Sequence, residues 1–254
     1  MKLIVGCCGI PVARSRYFEV LKAVELQNTF YDLPTEEWAK NFRSSIPPDA
    51  IVTVKAWQAL THPPTSPTWR RMKRKPGGDL SNYGFLKPTK ENLDAWERLR
   101  KIAITLRSKA IVFQTPPSFG YSEENLRNVL EFFRTIMTNE FLICWEPRGT
   151  WLNHPEAIEK VVALGVVHVV DILKRDPVLS KGRDNVVYTR LHGLGGEVNY
   201  RYKYTDDDLQ NLLSKISAYQ DRVRECYVMF NNVYMFNDAL RFKNLALQKG
   251  FEVI

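Results

Sequence analysis

Short apolar runs rich in Val, Ile, Phe and Tyr alternate along the chain with longer amphipathic stretches. Eight runs predict strands: residues 3–8, 23–26 with a continuation to 31, 51–56, 110–114, 141–146, 166–172, 186–192 and 227–231. Between them the apolar positions recur at helical spacing. One helix is predicted over 36–43 behind Pro34-Thr35. Another covers 89–106, capped by Thr89, with Leu93, Trp96, Leu99 and Ile102 on one face. Ser122 leads into Leu126, Val129, Leu130 and Phe133; His154-Pro155 into Ile158, Val161 and Val162; Thr205 into Leu209, Leu212, Leu213 and Ile216. A last helix is predicted over 236–247.

Strands alternating with helices build parallel sheets, and eight such units predict a closed (β/α)8 TIM barrel, one domain over residues 1–254. The main alternative is an open doubly wound sheet. Against it, no G-x-G-x-x-G follows the first strand, and Gly6-Cys7-Cys8-Gly9 does not fit that fingerprint. One stretch breaks the rhythm. Residues 57–88 form a long loop after the third strand, with Arg70, Arg71, Lys73, Arg74 and Lys75 clustered around Met72. Two expectations stand side by side for it: a flexible basic flap over the barrel mouth, and a solvated, disordered insertion.

Composition narrows the class. With 254 residues, 44% hydrophobic and 25% charged, the chain is globular, which excludes collagen, coiled coil and wholesale disorder. No apolar run approaches the roughly 18 residues of a membrane span, and the first strand begins without the longer apolar region of a secretory signal. The expectation is a soluble, cytoplasmic protein with no membrane partner. Cys7, Cys8, Cys144 and Cys226 have no CxxC spacing, so they are expected to be buried thiols rather than zinc ligands or disulfides. Lys and Arg outnumber Asp and Glu by 36 to 28, giving a net charge of +8. That balance favours anionic partners, although solubility alone also accounts for it.

The candidate chemistry lies at the strand ends. Glu25 falls in the second run, Lys55 in the third, Gln114 in the fourth and Glu146 with Arg148 in the fifth. Asp171 ends the sixth, Arg190 and His192 the seventh, and Asn231-Asn232 the eighth. Strand side chains alternate faces, so Glu146 and Arg148 share one face, as do Tyr188, Arg190 and His192. Lys55, Arg148 and Arg190 are cations suited to an oxyanion. Glu25, Glu146 and His192 are candidate acids or bases. Gln114, Asp171, Asn231 and Asn232 complete a ligand-binding set. Each residue taken singly also has a structural explanation as an ion pair or hydrogen bond capping the core.

Other signatures are weak. His192 with Glu25, Glu146 or Asp171 has the donor types for one Mn2+, Mg2+ or Zn2+, but no HExxH or paired-His spacing supports it. A metal is therefore not favoured, and no organic cofactor motif is present. There is no G-x-S-x-G elbow and no P-loop. Tyr200-Arg201-Tyr202-Lys203-Tyr204 interleaves aromatics with cations. Extended, it puts three tyrosines on one face, for stacking on bases or for packing on the barrel rim.

In order along the chain, several motifs resemble the YecE-like family, also called domain of unknown function 72. They are Val24-Glu25-Leu26-Gln27-Asn28-Thr29-Phe30-Tyr31 with Leu33-Pro34; Val54-Lys55-Ala56; Thr61-His62; and Phe113-Gln114-Thr115-Pro116-Pro117-Ser118-Phe119. Then come Glu146-Pro147-Arg148 with Trp151, Tyr188-Thr189-Arg190-Leu191-His192-Gly193, Tyr204 with the acidic helix start, and Phe230-Asn231-Asn232 with Asn237 and Ala239. The resemblance spans nearly the whole chain and implies a TIM barrel but no activity. Its barrel is similar to those of endonuclease-IV-like and xylose-isomerase-like proteins, which suggests nucleic-acid or sugar-phosphate ligands by analogy. This chain is too poor in His to copy their metal sites. It also departs from the family pattern. Gln27 stands where Asn is usual, Cys7-Cys8 replaces a Thr-Ser-like pair with no Trp following, and the His expected after Arg148 is Gly149.

Three functional expectations follow. The first is a small phosphate- or carboxylate-bearing ligand at the C-terminal mouth of the barrel, handled by a hydrolase or lyase. The second is nucleic-acid binding without catalysis, through Arg70, Arg71, Lys73, Arg74, Lys75 and Tyr202. The third is a structural or regulatory barrel.

Overall fold

The computed structural model describes residues 1–181 and 185–254. Among the described residues there are nine strands: β1 (Lys2–Cys7), β2 (Ala23–Leu26), β3 (Ile51–Lys55), β4 (Ala110–Gln114), β5 (Leu142–Glu146), β6 (Val167–Val170), β7 (Asn185–Leu191), β8 (Val223–Phe230) and β9 (Glu252–Val253). The helices are α1 (Arg14–Val20), α2 (Asn28–Tyr31), α3 (Glu36–Ser44), α4 (Gln58–Thr61), α5 (Lys90–Thr105), α6 (Glu123–Ile136), α7 (Pro155–Val162), α8 (Asp206–Ser217) and α9 (Met235–Gln248). The pairing order is β2-β3-β4-β5-β6-β7-β8-β1, and β1 pairs again with β2. That closes a parallel eight-stranded ring, the (β/α)8 barrel. One edge of β1 is shared: its start, Lys2 and Leu3, pairs with β9, and its end, Gly6 and Cys7, pairs with β2. Gly6 is required there, because a Cβ at this position would stand 2.1 Å from the Ala23 carbonyl oxygen. Among the described residues no helix is long and apolar enough to cross a membrane.

The residues group into two compact units. The first comprises residues 1–25, 46–51 and 168–254. Its sheet rests on the long β7–β8 and β1–β8 ladders, with the Tyr188 and Tyr227 rings stacked 5.2 Å apart. Its last two helices cover the sheet. Helix α8 starts with a capping box, in which Thr205 and Asp208 satisfy each other's backbone N–H groups. It buries Leu209, Leu212, Leu213 and Ile216. Helix α9 buries Phe236, Ala239, Phe242 and Ala246.

The second unit comprises residues 26–45 and 52–167. Thr89 and Ser122 cap α5 and α6 by accepting from Asn92 and Asn125 backbone N–H groups. The helices then bury an aromatic core of Trp96, Phe113, Phe132, Phe133 and Trp145, with successive ring centroids 5.6–6.1 Å apart. Each such side chain removed from water contributes about 1.5–3 kcal/mol.

Several expectations need correction. The second run does not continue as strand to residue 31, because Asn28–Tyr31 turns into the short helix α2. The Thr29 hydroxyl hydrogen-bonds the Leu26 carbonyl at 3.1 Å and the Lys55 carbonyl at 2.7 Å, which fixes the turn. The eighth strand starts earlier than expected, at Val223. Helix α1 and strand β9 carried no clear pattern. Among the described residues, no helix lies between β6 and β7. The basic loop is neither a flap nor a solvated insertion along its length. Trp69 and Met72 are buried, and the Trp69 indole donates to the His62 carbonyl at 3.0 Å. The four cysteines are free and buried, as expected.

Candidate functional site

The second unit carries Lys55, Gln114, Glu146 and Arg148. Gln114 and Glu146 are Cα partners across the β4–β5 ladder. Arg148 follows Glu146 on the same face and binds it through one oxygen, with Nε at 3.0 Å and Nη2 at 2.6 Å from Oε1. Lys55 ends β3 and is buried, with its Nζ 3.9 Å from the centroid of the Phe30 ring. The other side of this cluster is His62, buried, edge-on to the same Phe30 ring at 5.0 Å. Its Nδ1 lies 2.8 Å from the Thr61 hydroxyl. Burial, and then the positive charges of Lys55 and Arg148, push the His62 imidazole down from 6.5 to about 3. His62 is therefore neutral at physiological pH, and it registers a positive field from Lys55 and Arg148.

His62 was quoted from the sequence only within a motif. Its placement depends on an unusual backbone. Gly84, Phe85 and Leu86 all adopt positive φ, at 81°, 54° and 50°. Their N–H groups donate to the carbonyls of Ala59, Thr61 and Leu60. A Cβ on Gly84 would lie 2.5 Å from the His62 carbonyl oxygen, so only glycine permits this approach. The buried Asn92 side chain holds the segment, bonding the Gly84 N–H and the carbonyls of Gly84 and Lys87. Left-handed Phe85 and Leu86 cost on the order of 1 kcal/mol or more each, and that strain is retained beside the histidine.

The first unit carries Glu25, Asp171, Arg190, His192, Asn231 and Asn232. Glu25 and Arg190 are fully buried, with Nη2 2.9 Å from Oε1. The Tyr188 hydroxyl donates to the other Glu25 oxygen at 2.8 Å. The Cys8 thiol lies beside this pair and is pushed well up, chiefly by burial and then by the Glu25 charge. The buried Asp171 carboxylate accepts from the His192 N–H at 3.1 Å and the Leu173 N–H at 3.2 Å, and it pairs with Lys174 at 3.1 Å. Asn231 Nδ2 sits 3.1 Å from His192 Nδ1. With Asn231 as donor, the ring proton is on Nε2.

Asn232 serves the scaffold. Its Nδ2 donates to the Tyr202 carbonyl and to Asp238, each at 2.8 Å. Fully buried Asp238 also pairs with Arg241 at 3.2 Å. Asp238 also accepts from the Tyr204 N–H at 3.4 Å, a partner 34 residues away that sequence spacing does not reveal. Among the described residues, no group of three His, Cys, Asp or Glu side chains is arranged to hold a metal ion.

The proposed nucleic-acid residues are dispersed in role. The Arg71 guanidinium lies 3.7 Å from the Tyr31 ring centroid. Arg74 donates to the Leu33 carbonyl at 2.9 Å. Arg70, Lys73 and Lys75 are exposed. The tyrosine segment is not extended with three rings on one face. Tyr200 and Arg201 form a turn, and Tyr204 is buried with its hydroxyl accepting from the Gly193 N–H. Tyr202 donates its hydroxyl to Asp208 at 2.7 Å.

Comparison with known proteins now places the chain. It is similar to the crystal structure of a DUF72 family protein from Enterococcus faecalis V583, with 16% identity and a TM-score of 0.70 over 97% of this chain and 98% of that one. A DUF72 family protein from Thermotoga maritima MSB8 matches with 24% identity and a TM-score of 0.67, over 97% and 100% of the two chains. SacUVDE is more distant, at 8% identity and a TM-score of 0.53 over 98% and 97%. At such identities the likeness concerns the fold. No curated protein matches the sequence. A family model described as protein of unknown function DUF72 matches residues 13–251, and the chain belongs to that family.

Proposed function

We propose that this protein binds a small phosphate- or carboxylate-bearing molecule at the C-terminal ends of its strands, with Lys55 and Arg148 as the cations and Glu146 as the acid or base of a hydrolase- or lyase-type reaction. The observation that carries the reading is the field of Lys55 and Arg148 on neutral His62. Lys55, and Arg148 with its Glu146 partner at 2.6 Å, lie in a largely buried setting where desolvation magnifies the pull of each cation on an anion. Gln114, opposite Glu146, adds a neutral donor. Glu25 and Arg190 neutralise each other. In this reading they hold the first unit's sheet together, as Asp171 positions the His192 backbone.

Titration calorimetry with inorganic phosphate, a pentose phosphate and a dicarboxylate tests it. Wild type binds at least one of them, and Lys55→Met and Arg148→Gln each weaken that binding by about tenfold or more, the worth of a charge-assisted hydrogen bond. Glu146→Gln tightens it, because the carboxylate that competes for Arg148 is gone. Absence of binding by wild type, or equal binding by Arg148→Gln, would sink the proposal. The nucleic-acid alternative draws less support. Arg71, Arg74 and Tyr202 are engaged within the chain, which leaves Arg70, Lys73 and Lys75 to carry it.

A further inference from the structure

The basic loop has a different use from the one its charge suggests. Arg74 folds back onto the chain, with its N–H to the Asp32 carboxylate at 3.1 Å and its Nη2 to the Leu33 carbonyl at 2.9 Å. There it forms one wall of a cleft of about 260 Å3 that includes none of the strand-end residues described above. Helix α5 supplies the opposite wall. Arg98 and Lys101, three positions apart, lie on one helical face, and buried Ile102 lies beside them. Leu33 and Pro34, and Thr35 and Glu36 at the start of α3, complete the lining.

Cations outnumber carboxylates along this cleft even with Asp32 paired to Arg74. Arg74, Arg98 and Lys101 face a single lining carboxylate, Glu36. Among the described residues, Arg98 and Lys101 make no ion pair with a carboxylate. The guanidinium of Arg98 is held 5.0 Å from the centroid of the Trp57 ring, which orients it without neutralising it. The Arg74 guanidinium is held by the Leu33 carbonyl at 2.9 Å and by a longer ion pair with Asp32, Nε to Oδ2 3.8 Å, which offsets part of its charge. Two oriented guanidinium groups and an ammonium around one concavity match the charge and the fork geometry of a phosphate dianion. The positive end of the α3 dipole points the same way. Beside these cations, Leu33, Pro34 and Ile102 present an apolar wall with no charge to satisfy.

We propose that this cleft is a second binding site, for a small phosphate monoester whose phosphate sits on Arg74, Arg98 and Lys101 and whose apolar or ring portion lies against Leu33, Pro34 and Ile102. The inference is independent of the strand-end site and stands whether or not that site binds an anion.

Calorimetry at low ionic strength with adenosine monophosphate, inorganic phosphate and adenosine tests it on the full chain. Adenosine monophosphate is expected to bind about tenfold or more tighter than either inorganic phosphate or adenosine, because only the ester uses both walls. The exposed pair Arg98→Gln/Lys101→Gln, which leaves the core untouched, is expected to weaken that binding by at least about tenfold. Lys55→Met and Arg148→Gln are expected to retain the component of binding that the double variant removes, which separates this site from the strand-end proposal. The inference is overturned if wild type does not bind the monophosphate, if inorganic phosphate or adenosine binds as tightly to the component that the double variant removes, or if the double variant binds like wild type.

Discussion

Replacing Arg190 with methionine will lower the stability of the protein by about 3–5 kcal/mol at neutral pH, the cost of stripping one partner from a buried ion pair. Methionine fills similar volume, so the loss is electrostatic rather than a cavity effect. What remains is the Glu25 carboxylate, fully buried, with the Tyr188 hydroxyl on one oxygen. A buried carboxylate stripped of its guanidinium keeps its desolvation cost and loses the attraction that offset it. Adding Glu25→Gln removes the stranded charge and should recover much of the loss. Urea denaturation of the single and double variants at pH 7 measures both effects. A single-variant loss below about 1 kcal/mol would mean the pair is solvated and carries little.

Acid will destabilise the protein through His62. The imidazole is held near 3 in the folded chain against 6.5 ordinarily, with burial the larger cause and Lys55 and Arg148 the next. Between those two values the unfolded chain binds more protons at this residue than the folded one. Stability is therefore full above about pH 6.5 and falls as pH drops toward 3, by on the order of 4 kcal/mol at the lower end. His62→Gln keeps a polar side chain and cannot titrate, so its curve should lack this slope even if its stability at pH 7 is lower. Unfolding free energies of both proteins between pH 7 and pH 4 give the comparison. Parallel curves would show that His62 already carries its proton in the fold, or meets water.

Much of the scaffold was legible because local chemistry and tertiary placement agree. Thr89, Ser122 and Thr205 cap the helices their sequences announce, and the period of two puts Glu146 with Arg148 and Tyr188 with Arg190, as the contacts confirm. Misreadings arose where distant residues decide. Residues 28–31 look like strand, yet Thr29 turns them by reaching the Lys55 carbonyl. Phe85 and Leu86 carry no sign of left-handed backbone, which exists only because Ala59, Leu60 and Thr61 offer carbonyls to it. The loop cations promised a mobile arm, but Trp69 and Met72 bury its middle. His62 gains its significance from Lys55 and Arg148, neither of them near it in a way sequence spacing reveals.

The most direct test of the anion-binding account watches His62 itself. Nitrogen-detected NMR of the labelled imidazole, followed through a phosphate titration at fixed ionic strength, reads the field at that ring. An anion seated on Lys55 and Arg148 cancels the positive potential, so the His62 signals should move and its pKa should climb from about 3 toward the ordinary histidine value, with no such change in Arg148→Gln. Signals and pKa that stay fixed in the wild-type protein would contradict it.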